Sequence, residues 1–221
     1  MQECGCGVDK KSVLYCASQS AARHALLQQA EIAFKVIPID VCEEDAEVEG
    51  SVQEQVMKLA QYKHIGINVP AIIEAHEESK APIYLLTADT LIAGLTDGVI
   101  YGKPQDRGDA AQMIKAISRQ DIVVATGMCF SVWLYHPEEE GWYNPVFETW
   151  SVDAKAEFFV PDDEIEHYFD RCPMALKGCG ATAVDGVGIT YFKSLHGSYT
   201  GALGLDMFSL RQLLKKHGFS F

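Results

Sequence analysis

Positive charge is scarce in this chain of 221 residues, which carries 18 lysines and arginines against 31 aspartates and glutamates and has a net charge of −13. A protein that binds a nucleic-acid polymer usually presents a basic face to the phosphates, so this balance argues against such a partner. It does not argue against a small anionic ligand, because a few cations gathered in one cleft are enough to attract a phosphate.

Long hydrophobic runs are also missing. No apolar stretch reaches the ~18–20 residues that a membrane span needs, and the first eleven residues lack the apolar core of a signal peptide. We therefore expect a cytoplasmic protein with no membrane partner. Residues 1–11 are expected to form a flexible tail ahead of a single domain over residues 12–221.

Several catalytic and metal-binding signatures are absent. The seven histidines form neither an HxH nor an HExxH pattern, and no G-x-S-x-G elbow occurs, which argues against a zinc hydrolase and a serine hydrolase. The seven cysteines are odd in number and scattered, as reduced thiols would be. Cys4 and Cys6 are too close for a normal zinc pair, so a frayed tail is the leading interpretation and an adventitious metal or redox site the alternative.

Apolar runs and helix-forming segments alternate along the chain, which predicts an α/β fold. The chain opens with an expected strand over residues 12–17, a helix over 21–30 and a strand over 34–40. Residues 83–92 form an apolar run with one carboxylate, typical of a central strand. Residues 137–145 are expected to be a loop.

The turn after the first strand has the features of an anion site. Ser18 and Ser20 precede a helix, whose first backbone N–H groups point outward and whose dipole adds positive charge. Arg23 follows within the first turn and can bind a phosphate with its planar guanidinium. The alternative is an ordinary serine cap beside a surface arginine.

Asp89 is the sharpest single signal. A carboxylate inside the run IYLLTADTLI is costly unless it is hydrogen-bonded, bound to a metal or exposed at a strand end. It could activate a water molecule or hold Mg²⁺, although a structural aspartate is an equally open interpretation. Lys63 and Lys103 are possible phosphate ligands, but each by itself is most simply a surface lysine. The glycine-rich segment 178–188 offers Asp185 as an acceptor for a base or a sugar hydroxyl.

Taken in order, these segments resemble the motifs of the Maf family. The segment ASQSAARHALL resembles A-S-x-S-P-R-R-x-x-L-L, KLAQYK resembles R-L-A-x-x-K, and LTADTLI resembles G-A-D-T-V-V. Farther along, YGKPQDRGDAAQMI resembles G-K-P-x-x-x-x-x-A-x-x-M-L, VVATGMCF resembles V-x-T-G-V-C, and GSYTGALGLDMFSLRQLL resembles G-S-Y-x-N-V-V-G-L-P-L. Each match is short, but their joint order over nearly the whole chain is specific.

The resemblance implies a nucleoside triphosphate pyrophosphatase, which releases pyrophosphate by cleavage between the α and β phosphates and removes non-standard or surplus nucleotides. It also implies an elongated, twisted mixed sheet flanked by helices in two lobes with a central cleft, a homodimer, and a Mg²⁺ or Mn²⁺ cofactor. The resemblance assigns catalysis and metal binding to Asp89. It assigns phosphate binding to five residues: Ser18, Ser20, Arg23, Lys63 and Lys103.

The departures from the family motifs leave the base open. Ala22 replaces an arginine that helps to set specificity for dTTP and UTP, whereas Thr90 matches that subgroup. Asp185 is closer to the glutamate of the subgroup that acts on 7-methyl-GTP. Val41 replaces a glutamate near the metal, for which Glu43 or Glu44 could substitute.

Two other functions therefore stay open. The loss of that glutamate, and of an arginine and a histidine before the long strand, favours a catalytically weak or inactive nucleotide-binding protein of the same fold. A pyrophosphatase for deaminated purines such as ITP or XTP is the other alternative.

Overall fold

A computed structural model describes residues 11–41, 46 and 48–221. The expected tail, together with Cys4, Cys6, Glu43 and Glu44, lies outside these residues apart from Lys11. In chain order the helices and strands are β1 (Leu14–Cys16), α1 (Ala21–Gln29), β2 (Phe34–Val36), α2 (Val52–Ile65), α3 (Val69–His76), β3 (Ile83–Gly94), β4 (Ile100–Tyr101), α4 (Arg107–Ile117), β5 (Asp121–His136), β6 (Gly141–Phe158), α5 (Ile165–Arg171), β7 (Phe192–Gly197), α6 (Tyr199–Ala202) and α7 (Met207–Lys216). Three short 3₁₀ helices, Pro173–Lys177, Cys179–Ala181 and Gly186–Tyr191, lie between α5 and β7.

The seven strands of the described chain form one sheet, in the order β2-β1-β3-β5-β6-β7 with β4 paired to β3. Strand β1 is parallel to β2 and β3, and the other neighbours are antiparallel. Parallel neighbours require a crossover, which α1 provides between β1 and β2. The prediction of an α/β fold with a mixed sheet is confirmed. Within the described ranges, no helix is long and apolar enough to cross a membrane.

Strand β3 contributes buried side chains to three hydrophobic clusters, and two of them include residues on either side of Asp89 and Thr90. Its first half, with Tyr84 and Leu86, packs in the cluster that contains α1 and α7. Near its end, Ile92 packs in the cluster that contains α4 and α5. Full burial of such a side chain stabilises a fold by roughly 1.5–3 kcal/mol. Asp89 and Thr90 lie on β3 between the residues that belong to these two clusters.

Two expected boundaries were wrong. The strand expected over residues 34–40 ends at Val36. The loop expected over residues 137–145 is shorter, because β6 begins at Gly141 and forms a hairpin with the end of β5. Pro145 lies where the β5–β6 register shifts. A proline is tolerated there because the shift leaves it outside the regular hydrogen-bonded ladder.

Helix α2 approaches the sheet most closely at Gly127. This residue of β5 is paired with Asp89 of β3. A Cβ atom added to Gly127 would lie 2.3 Å from the backbone carbonyl carbon and oxygen of Val56, and 2.6 Å from the amide nitrogen of Met57. These are backbone atoms and cannot move aside alone. The missing side chain therefore allows α2 to lie directly over the strand pair that carries Asp89.

We predict that Gly127→Ala lowers the free energy of unfolding by ~1–3 kcal/mol, because the added methyl group pushes α2 away from the sheet. Urea denaturation measures this change. Gly141→Ala is the matched control, since its Cβ would meet nothing closer than the Glu139 carbonyl oxygen at 3.6 Å. Equal stabilities for the two variants would contradict the proposed close approach.

Candidate active site

A cleft of about 680 Å³ lies between the start of α1 and the segment 174–185. Its volume falls within the range of small-molecule sites. The nine residues selected from the sequence all line it: Ser18, Ser20, Ala22, Arg23, Lys63, Asp89, Thr90, Lys103 and Asp185. Tertiary structure thus brings together residues from five separate parts of the chain.

The cleft exists because one edge of β3 is left open. Strand β1 ends where Cys16 pairs with Leu86, and β4 joins this edge only at Ile92. Between these points β3 has β5 on one side and no other strand of the described chain on the other. The thiol of Cys179 donates a hydrogen bond to the Thr90 carbonyl oxygen there, at 2.7 Å. Burial raises the pKa of this thiol to about 11, which keeps the donor protonated.

The start of α1 is built by local hydrogen bonds. Ser20 is the N-cap, with extended backbone, and its side chain accepts from the Arg23 amide at 3.4 Å. The Ser18 hydroxyl oxygen accepts from the Ser20 amide at 3.3 Å. These bonds satisfy two backbone donors near the helix start, and the remaining ones lie beside the cleft.

Arg23 is buried and oriented by three hydrogen bonds. Its Nε donates to the Gly204 carbonyl oxygen at 2.9 Å, its Nη1 to the Ser18 hydroxyl at 3.0 Å, and its Nη2 to the Thr90 hydroxyl at 3.0 Å. The surface-arginine alternative is therefore wrong. The side chain is fixed in a single direction, with its guanidinium in the wall of the cleft.

Lys63 and Asp89 form a buried ion pair at the floor of the cleft. Lys63 is 6% exposed and Asp89 is 8% exposed, and the Lys63 ammonium donates to one carboxylate oxygen of Asp89. The interpretation of Lys63 as a surface lysine is therefore wrong. Because buried charges need close partners of opposite sign, each of these two residues stabilises the other at this position. The pair keeps a negative and a positive group in contact at the floor of the cleft.

A buried polar cluster anchors α2 beside this pair. The Thr87 hydroxyl donates to the Ala60 carbonyl oxygen at 2.7 Å, so it accepts the bond from His64 Nδ1 at 3.1 Å. Burial lowers the pKa of His64 to about 4, so the imidazole is neutral and carries one ring proton. With that proton on Nδ1, Nε2 accepts from the Ser131 hydroxyl at 2.7 Å. Sequence reasoning missed this cluster, although Thr87 stands where the motif G-A-D-T-V-V has glycine.

The other predicted residues occupy the more exposed part of the cleft. Lys103 follows β4 and is exposed, as a lysine in a turn usually is. Asp185 is exposed and begins the 3₁₀ helix Gly186–Tyr191. Ala22 lies in the first turn of α1. These three residues line the cleft, while Asp89 and Lys63 form its floor.

Residues 13–217 match a family model that is described as "Maf-like protein". The chain belongs to this family. The Maf-like chain is 33% identical to a dTTP/UTP pyrophosphatase of Geobacter sp. (strain M21), over 95% of its own length and 97% of that protein. It is also 29% identical to a dTTP/UTP pyrophosphatase of Caldanaerobacter subterraneus subsp. tengcongensis, over 92% of its own length and 88% of that protein. The predicted family resemblance is confirmed.

Lys177 is a cleft residue of this Maf-like protein that sequence reasoning missed. It ends the 3₁₀ helix Pro173–Lys177 and lines the cleft together with Thr182. The sequence does contain a signal for this role, because Lys177 stands just before the glycine-rich segment 178–188. Glycines let a neighbouring cation approach a ligand closely. The cleft therefore holds one more lysine than expected.

Asp89 and Asp185 are the acidic residues among those that line the cleft. Over residues 11–41, 46 and 48–221, no group of three histidine, cysteine or acidic side chains is positioned to hold a metal ion. Val41 stands where the family has a glutamate, and Glu43 and Glu44 lie outside the described residues. Any metal ion bound at Asp89 would need further oxygen ligands from its substrate or from water.

We predict that the stability of the wild-type protein falls as the pH is lowered from about 6.5 towards 4. In the unfolded chain His64 takes up a proton below a pKa of ~6.5, whereas in the folded protein it does so only below about 4. Between these values the unfolded state binds more protons, which costs up to ~1.4 kcal/mol per pH unit. Urea denaturation at several pH values should show a smaller slope for His64→Gln. Identical slopes would contradict a neutral, buried imidazole.

Proposed function

We propose that this Maf-like protein hydrolyses a nucleoside triphosphate to a nucleoside monophosphate and pyrophosphate, and so removes non-standard or surplus nucleotides. The observation that carries the proposal is the buried Lys63–Asp89 pair at the floor of a cleft that Arg23 and Lys103 also line. The names of the similar proteins, dTTP/UTP pyrophosphatases, support the same reaction.

Cleavage of a phosphoanhydride needs neutralised charge and a well-placed water more than a covalent nucleophile. Arg23, Lys63 and Lys103 would bind the phosphate oxygens. The Ser18 hydroxyl proton and the free N–H groups at the start of α1 would donate to the same chain of phosphates, with Ser20 holding the helix start in place.

Asp89 would orient the attacking water and accept its proton. The water oxygen forms a bond to the α phosphorus while the bond from that phosphorus to the bridging oxygen breaks, and pyrophosphate leaves with the bridging oxygen. The Lys63 ammonium, which donates to one carboxylate oxygen of Asp89, would hold this carboxylate in place beside the water.

The donor set suits Mg²⁺ or Mn²⁺. Asp89 offers carboxylate oxygens, and Mg²⁺ is commonly bound through one or two carboxylates together with substrate phosphates and water. When bound, such an ion neutralises charge on the phosphate chain. The homodimer implied by the family resemblance and the absence of a nucleic-acid partner stay predictions.

As substrates we propose dTTP and UTP, because the similar proteins described above are named dTTP/UTP pyrophosphatases. Ala22, Thr90 and Asp185 are the candidate specificity residues. Asp185 is exposed in the cleft, and its carboxylate can accept a hydrogen bond from a ring N–H of the base. 7-Methyl-GTP and the deaminated purine nucleotides ITP and XTP are the competing substrates.

We predict that Asp89→Asn lowers the rate of pyrophosphate release at least ~100-fold, because the amide cannot accept the proton of water. The measurement is pyrophosphate release from UTP with Mg²⁺ present. Circular dichroism and calorimetric binding of UTP are the controls for folding and for substrate affinity. A folded variant with near-normal turnover would remove Asp89 from the mechanism.

We predict that, in a panel of nucleotides, dTTP and UTP have kcat/KM values at least ~10-fold above those of 7-methyl-GTP, ITP and XTP, which corresponds to ~1.4 kcal/mol of discrimination. A preference for a purine nucleotide would overturn the base assignment and leave the reaction class intact. Saturable binding of nucleotides without hydrolysis of any of them would favour the non-catalytic binding protein.

A further inference from the structure

Thr126 of β5 is a fully buried hydroxyl residue behind the cleft wall. Its side chain does not line the cleft. It donates a hydrogen bond to the Gly201 carbonyl oxygen at 2.7 Å and is bonded to the Thr90 hydroxyl at 2.8 Å. It therefore connects a residue of the cleft to the backbone of α6.

The directions of these hydrogen bonds follow from the number of protons. A carbonyl oxygen can only accept, so the single hydroxyl proton of Thr126 is used on Gly201. Thr90 must then donate its own proton to Thr126, and its oxygen accepts from Arg23 Nη2 at 3.0 Å. Thr90 has no proton left to offer a nucleobase. Its hydroxyl is oriented by Thr126 and in turn orients Arg23.

The backbone after β7 completes the support of Arg23. Gly204 has a φ of +106°, and a Cβ there would lie 3.1 Å from Arg23 Nε. At Gly201 a Cβ would lie 2.6 Å from a methyl carbon of Val152. Glycine at both positions lets the two carbonyl groups reach Thr126 and Arg23. The Gly204 carbonyl and the hydroxyls of Ser18 and Thr90 accept from three of the five guanidinium N–H donors of Arg23. Two N–H donors are left for a ligand.

We propose that Thr126 is a positioning residue, which acts through Thr90 to aim the Arg23 guanidinium at the triphosphate. The proposal rests on the function proposed above. It also changes the role of Thr90, which supports Arg23 and does not select the base. A fixed guanidinium binds an anion more tightly than a mobile one, because less side-chain entropy is lost on binding.

The test compares variants of the full-length protein by calorimetric binding of the α,β-methylene analogue of UTP. Thr126→Val keeps the shape of the side chain and removes the hydroxyl. It should raise Kd about 10-fold, because Thr90 loses the hydrogen bond that orients it towards Arg23. Thr126→Ser should restore the wild-type Kd to within about 2-fold, because it retains the hydroxyl. Thr149→Val on β6 is the matched control. It loses the bond from Gln61 Nε2, 3.1 Å long in the wild type, and a hydrogen bond to the Cys129 side chain, neither of which involves Arg23, so Kd should stay unchanged.

A double-mutant cycle separates positioning from a general loss of structure. In an Arg23→Lys background, Thr126→Val should change Kd less than about 2-fold, because the group that it positions is gone. An equal loss in both backgrounds, or a wild-type Kd for Thr126→Val, would overturn the proposal. A wild-type protein that hydrolyses no nucleotide would instead overturn the proposed reaction, and the binding cycle would still test Thr126.

Discussion

The buried ion pair between Lys63 and Asp89 is the interaction on which the rest of the site depends. Two charges in the interior lose their hydration, and close contact with each other offsets part of that cost. Contact requires α2 to lie directly on the sheet, which Gly127 allows because it has no side chain. It also requires a fixed orientation of α2, which His64 provides through Thr87 and Ser131. The packing of α2 against the sheet therefore determines the geometry of the Lys63–Asp89 pair.

The open edge of β3 explains how both faces of one strand contribute to a single cleft. Successive residues of a strand point to opposite faces, so Asp89 faces α2 while Thr90 faces α1 and Arg23. In a fully paired strand these side chains would be separated by the sheet. Because β1 ends opposite Leu86, a ligand at this edge can reach both. The predicted anion site at the start of α1 lies at the same edge, since α1 follows β1 directly.

The departures from the family motifs now have a structural context. The cleft wall has Ala22 where the family motif has an arginine. It also has Lys177, a cation that the motifs quoted above do not contain. The overall acidity of the chain does not oppose an anionic substrate, because the cleft itself is lined by more cationic than acidic side chains. Because the Thr90 hydroxyl is bonded to Arg23, Ala22 and Asp185 remain as the proposed specificity residues.

Local pattern was enough to predict the α/β class, the helix cap at Ser20 and, through the order of short motifs, the family and the nine residues of the cleft. These features depend on periodicity and capping, which neighbouring residues encode. Tertiary structure alone decided that Lys63 is buried, that His64 is a neutral anchor, and that Thr126 supports Arg23. Arg23 and Gly204 are 181 positions apart in the chain. Such contacts form only when the sheet and its helices have packed, so no local pattern in the sequence specifies them.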